Sequence, residues 1–118
     1  MSQTIAESFS RHRFAETYPS MLDDIEWTRV GGTHVRGKEA VVSTCEESAN
    51  YLAGVRTTFH RFKVIEGDNC VVIDSRAEYV DDEGRSSTVA SCDIYDFDSG
   101  KLAAVTSYTV ELGSESTG

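Results

Sequence analysis

The stretch from Ser91 to Leu112, SCDIYDFDSGKLAAVTSYTVEL, limits the fold more than any other part of the chain. Apolar and polar residues alternate on both sides of Asp98-Ser99-Gly100, and a side-chain period of two is satisfied only by a strand. So short a turn, with a glycine to take positive φ, folds the two runs back on one another as an antiparallel hairpin. Two further runs precede it, Arg56 to Ile65 and Cys70 to Val80, and the first strand of the hairpin starts at Arg85. The clusters Glu66-Gly67-Asp68-Asn69 and Asp81-Asp82-Glu83-Gly84 separate them, so the spacing predicts a four-stranded antiparallel meander.

The first half of the chain has the other periodicity. Val41, Cys45, Ser48 and Leu52 fall on one face of a helix expected over Lys38 to Ala53, bracketed by Gly37 and Gly54. Ile5 and Phe9, then Phe14, Tyr18 and Met21, predict two short helices separated by a turn at Arg11-His12-Arg13, with Pro19 kinking or restarting the second. Ile25 to Val30 reads as a short strand around Trp27, halted by Gly31-Gly32. Helices followed by a meander make an α+β fold whose sheet buries one face under the helices, and a strongly curved sheet of this kind encloses a cavity. At 118 residues the chain is expected to form a single domain over 1–118, with a frayed tail over 113–118.

Charge and cysteine content narrow the function. Twenty acidic against eleven basic side chains give a net charge of -9, a field that repels nucleic acid and anionic membrane surfaces, so neither is an expected partner. Cys45, Cys70 and Cys92 are odd in number and widely spaced, which suits a reducing cytoplasm and implies neither a disulfide framework nor a zinc site. The opening MSQTIAESFSRHRF lacks the continuous apolar stretch of a signal peptide. His12, His34 and His60 have no metal-ligand spacing, and Gly31, Gly32 and Gly37 form no phosphate-binding fingerprint; no cofactor is expected.

Three segments, in order and spacing, carry a resemblance over nearly the whole chain. They are Asp23-Asp24-Ile25-Glu26-Trp27 entering the first strand, the Gly31 to Gly37 loop before Lys38-Glu39-Ala40, and Asp93-Ile94-Tyr95-Asp96-Phe97-Asp98-Ser99-Gly100-Lys101 leading to Ser107-Tyr108. The chain resembles the NTF2-like superfamily, in particular its SnoaL-like branch related to ketosteroid isomerase. The resemblance implies a cone-shaped α+β barrel, a homodimer formed through the sheet, and a largely apolar cavity for a small-molecule ligand. It also implies a role for Asp93, which lies where the isomerase keeps a protonated carboxyl that donates to the substrate oxyanion. The position aligned with the isomerase's base is Thr28, and its first-helix tyrosine has no counterpart, so steroid isomerisation itself is not implied.

Within this frame the candidates are weighed against plainer roles. Asp93 shares a strand face with Ser91, Tyr95 and Phe97, and the hairpin register adds Ile73, Ser75, Ala77 and Tyr79. A carboxyl among such neighbours is either a neutral acid or a structural hydrogen-bond acceptor. Trp27, Ser75, Tyr79, Tyr95 and Phe97 are the candidate cavity lining, with core packing as the plainer role of the aromatics. His60, in RTTFHRFK, is a candidate base if alternation aims it inward. Asp74, Arg76 and Glu78 are read as an ion-pair ladder on the outer face, His34 as a residue at the cavity mouth, His12 as a solvated turn residue, and Cys45 as an inert small hydrophobe. The expected function is an apolar small-molecule cavity performing cofactor-free isomerase, dehydratase or cyclase chemistry with Asp93 as acid. The alternative is a non-catalytic ligand-binding or protein-interaction module.

Overall fold

The computed structural model describes residues 2–112. Helix α1 (Ser2–Ser10) is followed by a 3-10 helix (Phe14–Ser20), strands β1 (Met21–Arg29) and β2 (His34–Arg36), helix α2 (Lys38–Leu52), and strands β3 (Arg56–Gly67), β4 (Cys70–Val80), β5 (Ser86–Asp98) and β6 (Lys101–Leu112). The strands form one curved, unclosed sheet in the order β2-β1-β6-β5-β4-β3. Every pairing is antiparallel except that of β1 with β6, which is parallel and sets Trp27 opposite Val105 and Arg29 opposite Ser107. The α+β architecture read from the sequence is therefore present, and the 113–118 tail lies outside the described residues.

The meander follows its turn chemistry. Ser99 at φ 53° and Gly100 at φ 82° are the two central residues of the β5–β6 hairpin, and two positive φ values in succession give the turn whose twist matches a right-twisted ribbon. Both expected strands Cys70–Val80 and Lys101–Leu112 are reproduced, and the register sets Asp93 opposite Ile73 and Ser91 opposite Ser75. β1 begins at Met21 rather than Ile25. The helical spacing of Phe14, Tyr18 and Met21 breaks because Pro19 sits in the 3-10 turn and Met21 is already extended, at φ -84° and ψ 139°. His34–Arg36, read as loop, adds as β2 on the far edge of β1.

The core lies between the helices and the concave face of the sheet. Phe9 is its hub, with ring centroids 5.0 Å from both Phe14 and Trp27 and 5.6 Å from Tyr95 in edge-to-face contacts. Burial of such a side chain stabilises by about 1.5–3 kcal/mol. From α2, Val41 and Cys45 are fully buried, one turn apart, as the period of that helix requires. No buried side-chain nitrogen or oxygen among the described residues lacks a hydrogen-bond partner.

One irregularity in β3 decides a side-chain direction. Phe59 pairs with Ala77 and Arg61 with Arg76, so His60 is an extra residue, a β-bulge. The bulge lets Phe59 and Phe62, three apart in sequence, both face inward, where their rings meet at 5.3 Å. It also turns His60 outward together with Arg61.

Candidate functional site

A cavity of about 460 Å³ opens between α1, α2 and one end of the concave sheet face, within the range usual for small-molecule pockets. Phe9, Phe14, Trp27, Leu52 and Val89 supply apolar wall, and Asp93 stands among them on β5. The polar groups that reach Asp93 form a connected set. Ser10, the last residue of α1, donates to Asp93 Oδ2 at 2.9 Å and shares a hydrogen bond with the hydroxyl of Tyr95. Ser107 accepts the indole N–H of Trp27 at 3.1 Å and turns its own hydroxyl on Asp93. The parallel β1–β6 pairing makes this possible, because it brings Trp27 beside Ser107 across eighty residues of sequence.

Two effects compete at Asp93. Burial disfavours the charged carboxylate, while the hydroxyls of Ser107, Ser10 and Tyr95 favour it. Burial is the larger, and the carboxyl is raised above its ordinary range. Such a group keeps its proton to higher pH than a surface aspartate and can donate a hydrogen bond to an oxygen placed in the cavity.

The other residues singled out in the sequence separate cleanly. Trp27, 6 % exposed, and Tyr79 line the cavity. Ser75, Tyr95 and Phe97 share the concave face but do not line the cavity: they are 5 %, 0 % and 7 % exposed, buried in the core between the helices and the sheet. The inward direction expected for His60 is corrected. The bulge places it on the convex face, where Nε2 lies 3.0 Å from Glu78 and its side chain is 51 % exposed. On that face Arg61 also holds Asp74 at 2.8 Å, which lowers the Asp74 carboxyl, so Asp74 and Glu78 lie on the outer face as expected but find their partners, Arg61 and His60, on β3, and Arg76 joins no salt bridge among the described residues. His34 is not at the mouth; it bonds Glu26 at 2.9 Å across the β1–β2 edge. Tyr108 is on the convex face and 49 % exposed. Cys45 is fully buried, and burial pushes its thiol up to about 12.

Reading the sequence missed much of the cavity wall, including Ser10, His12, Arg29, Glu47 and Ser107. His12 is not a solvated turn residue. It is half-buried in the cavity wall, with Nε2 3.0 Å from the Tyr79 hydroxyl and its ring 5.7 Å from Phe14 and 5.9 Å from Phe59. Arg29 follows Trp27 by two residues on the same strand face, and its guanidinium lies 4.7 Å over the indole. A signal existed for Arg29, since alternation from Trp27 aims it inward. For Ser10, His12 and Ser107 the sequence held none without the path of the chain after α1 and the β1–β6 pairing.

Among the described residues no cluster of three or more His, Cys, Asp or Glu side chains is arranged to hold a metal ion. No helix among them is long and apolar enough to cross a membrane.

Comparison with known proteins agrees with this geometry. The family model of the SnoaL-like domain matches residues 3–105. An NTF2-like protein of unknown function from Cytophaga hutchinsonii is 32 % identical, with a TM-score of 0.81 over 93 % of this chain and 100 % of that one. A Rhodopseudomonas palustris protein named as a candidate isomerase is 22 % identical, with a TM-score of 0.72 over 92 % of this chain and 91 % of its own. A candidate polyketide cyclase of Xanthomonas campestris is 18 % identical, with a TM-score of 0.71 over 90 % and 84 % of the two chains. No curated protein matches the chain.

Proposed function

Because this chain belongs to the SnoaL-like family of the NTF2-like superfamily, we propose that its cavity takes an apolar small molecule and catalyses cofactor-free proton transfer on it, with Asp93 as the acid. The observation that carries this reading is the Asp93 carboxyl itself, raised by burial and set in the wall of a cavity lined by aromatic rings. A neutral carboxyl there donates to a carbonyl or leaving-group oxygen and stabilises the negative charge that gathers on it as a neighbouring C–H or C–O bond breaks. Isomerisation, dehydration and ring closure share that requirement. Neighbours named as candidate isomerase and cyclase have the same fold, which is consistent with it.

A non-catalytic ligand-binding role is the second reading, and β1 favours it. That strand presents Trp27 and Arg29 to the cavity, whereas Glu26 is tied to His34 and Arg36 on the edge of the sheet and Thr28 shares its face. No carboxylate base comes from β1. We also assign the convex sheet face to a homodimer, since Tyr108 and Val110 are 49 % and 61 % exposed there, and the setting to a reducing cytoplasm, which suits three free cysteines. Light scattering on the eluting protein tests the dimer.

Titration with 2-naphthol, a fluorescent phenol whose hydroxyl reports its hydrogen-bond partner, tests the site. Wild-type protein should bind it with altered emission, and Asp93→Leu should bind it with emission like that in apolar solvent. Equal emission from both proteins, or no uptake by either, refutes the reading.

A further inference from the structure

His12 is held in a conformation that a histidine rarely adopts. The N–H of Arg13 bonds the carbonyl of Ser8 at 2.8 Å and the N–H of His12 bonds that of Phe9 at 2.9 Å, the paired bonds that close a helix through a left-handed residue. That residue is His12, at φ 68°, in a position where glycine carries no steric cost. The strain is not repaid by exposure to solvent. The left-handed turn instead points the imidazole back under α1, between Phe14 and Phe59, to the hydroxyl of Tyr79 on β4. Backbone strain of this kind gathers where a side chain must be aimed.

The surroundings keep the ring uncharged. Burial lowers the His12 imidazole, and burial followed by the charge of Asp93 raises the Tyr79 phenol. The ionisable groups around the ring come from several elements. Tyr79, Asp93, Arg29 and, from α2, Glu47 and Tyr51 share the cavity wall with it, Arg11 and Arg13 flank it in sequence, and Glu16, Tyr18 and Glu46 line the groove on its far side. Glu16 bonds Ser8 and Glu46 bonds Tyr18, and the imidazole's own hydrogen bond is to Tyr79, so among the described residues no carboxylate pairs with it.

Resting on the reading of this cavity as a proton-transfer site, we propose that the His12–Tyr79 pair is its base, filling from the α1 cap and β4 the place that β1 leaves empty. With the ring proton on Nδ1, Tyr79 donates to Nε2. The Tyr79 oxygen takes the proton from an acidic C–H of the ligand while its own proton passes to Nε2. The electron pair of that C–H bond becomes a carbon–carbon π bond, and the carbonyl π pair moves to the oxygen that Asp93 meets. Reversing the relay returns the proton to a second carbon, or to a departing hydroxyl. The ligand class is an uncharged carbonyl compound with an acidic hydrogen.

The test uses 5-nitrobenzisoxazole, in which removal of the C3 proton breaks the N–O bond and releases a coloured cyanophenolate without further help. His12→Asn suits the left-handed backbone and keeps hydrogen-bonding capacity but cannot take up the proton; Tyr79→Phe removes the relay. Each should lower the rate at least tenfold while still binding 2-naphthol, and the wild-type rate should rise with pH in step with His12 deprotonation followed by NMR. A rate that survives either substitution, or that follows the titration of Asp93 instead, overturns the pair as base. Wild-type protein that binds 2-naphthol yet is no faster than imidazole buffer also overturns it. Failure to take up 2-naphthol at all overturns instead the cavity reading on which it rests.

Discussion

Ser10→Ala separates what the Asp93 set does for stability from what it does for charge. Ser10 is 5 % exposed and Tyr95 0 %, and the Tyr95 hydroxyl shares a short hydrogen bond with Ser10. Removing Ser Oγ strands a buried phenol, at a cost of about 1–3 kcal/mol. Asp93 offers that phenol a substitute partner, so the loss should fall toward the lower end, about 1–2 kcal/mol. For a domain of this size that lowers Tm by roughly 4–8 °C. The same substitution removes one of the hydroxyls that favour the Asp93 carboxylate, so its pKa should move further up. The control is Ser10→Ala combined with Tyr95→Phe, which deletes both ends of the bond and should recover most of the lost stability. Thermal unfolding followed by circular dichroism reads the first effect, and carboxyl carbon shifts against pH read the second. A Ser10→Ala protein as stable as wild type, or a double variant no more stable than the single, would refute the reasoning.

Asp93 also predicts a pH-dependent stability. Its folded value is raised above the unfolded one of about 3.9, so its favourable contribution is complete below that value and is lost as pH rises through the folded one. Asp93→Asn removes this loss, so the Tm difference, variant minus wild type, should climb across the window above pH 4 and then level off; a flat difference contradicts the raised carboxyl. Cys45, fully buried and pushed up to about 12, should not react with an aromatic disulfide reagent in folded protein, whereas Cys70 and Cys92, each half-buried, react first. Labelling of all three at one rate would contradict that order.

What could be read from the sequence was whatever depends on local periodicity. The four β-runs, the helix over Lys38 to Leu52 and the shared face of Asp93, Ser91, Ile73 and Ser75 follow from alternation and turn residues alone. Alternation failed at His60, where one extra residue reverses direction, because a bulge leaves no mark in a run as uniformly strand-like as RTTFHRFK. It also could not separate Tyr95 and Phe97 from the cavity wall, since both share the Asp93 face and differ only in being covered by the core packed on them. His12 escaped for another reason. A helix end followed by charged residues reads as a solvated turn, and only the path of the next segment shows that the cap is folded under.

The parallel seam between β1 and β6 bears on how the chain is assembled. Strands β3 to β6 can pair with sequence neighbours as they emerge from the ribosome, but β1 waits beside an unfinished partner until nearly all of the chain has been made. Trp27 and Ser107 meet only at that last step, so the polar lining of the cavity is completed when the sheet is. A nascent protein halted short of β6 would therefore hold β1 and its Trp27 apart from the β3–β5 part of the sheet, the moment at which a chaperone has most to bind.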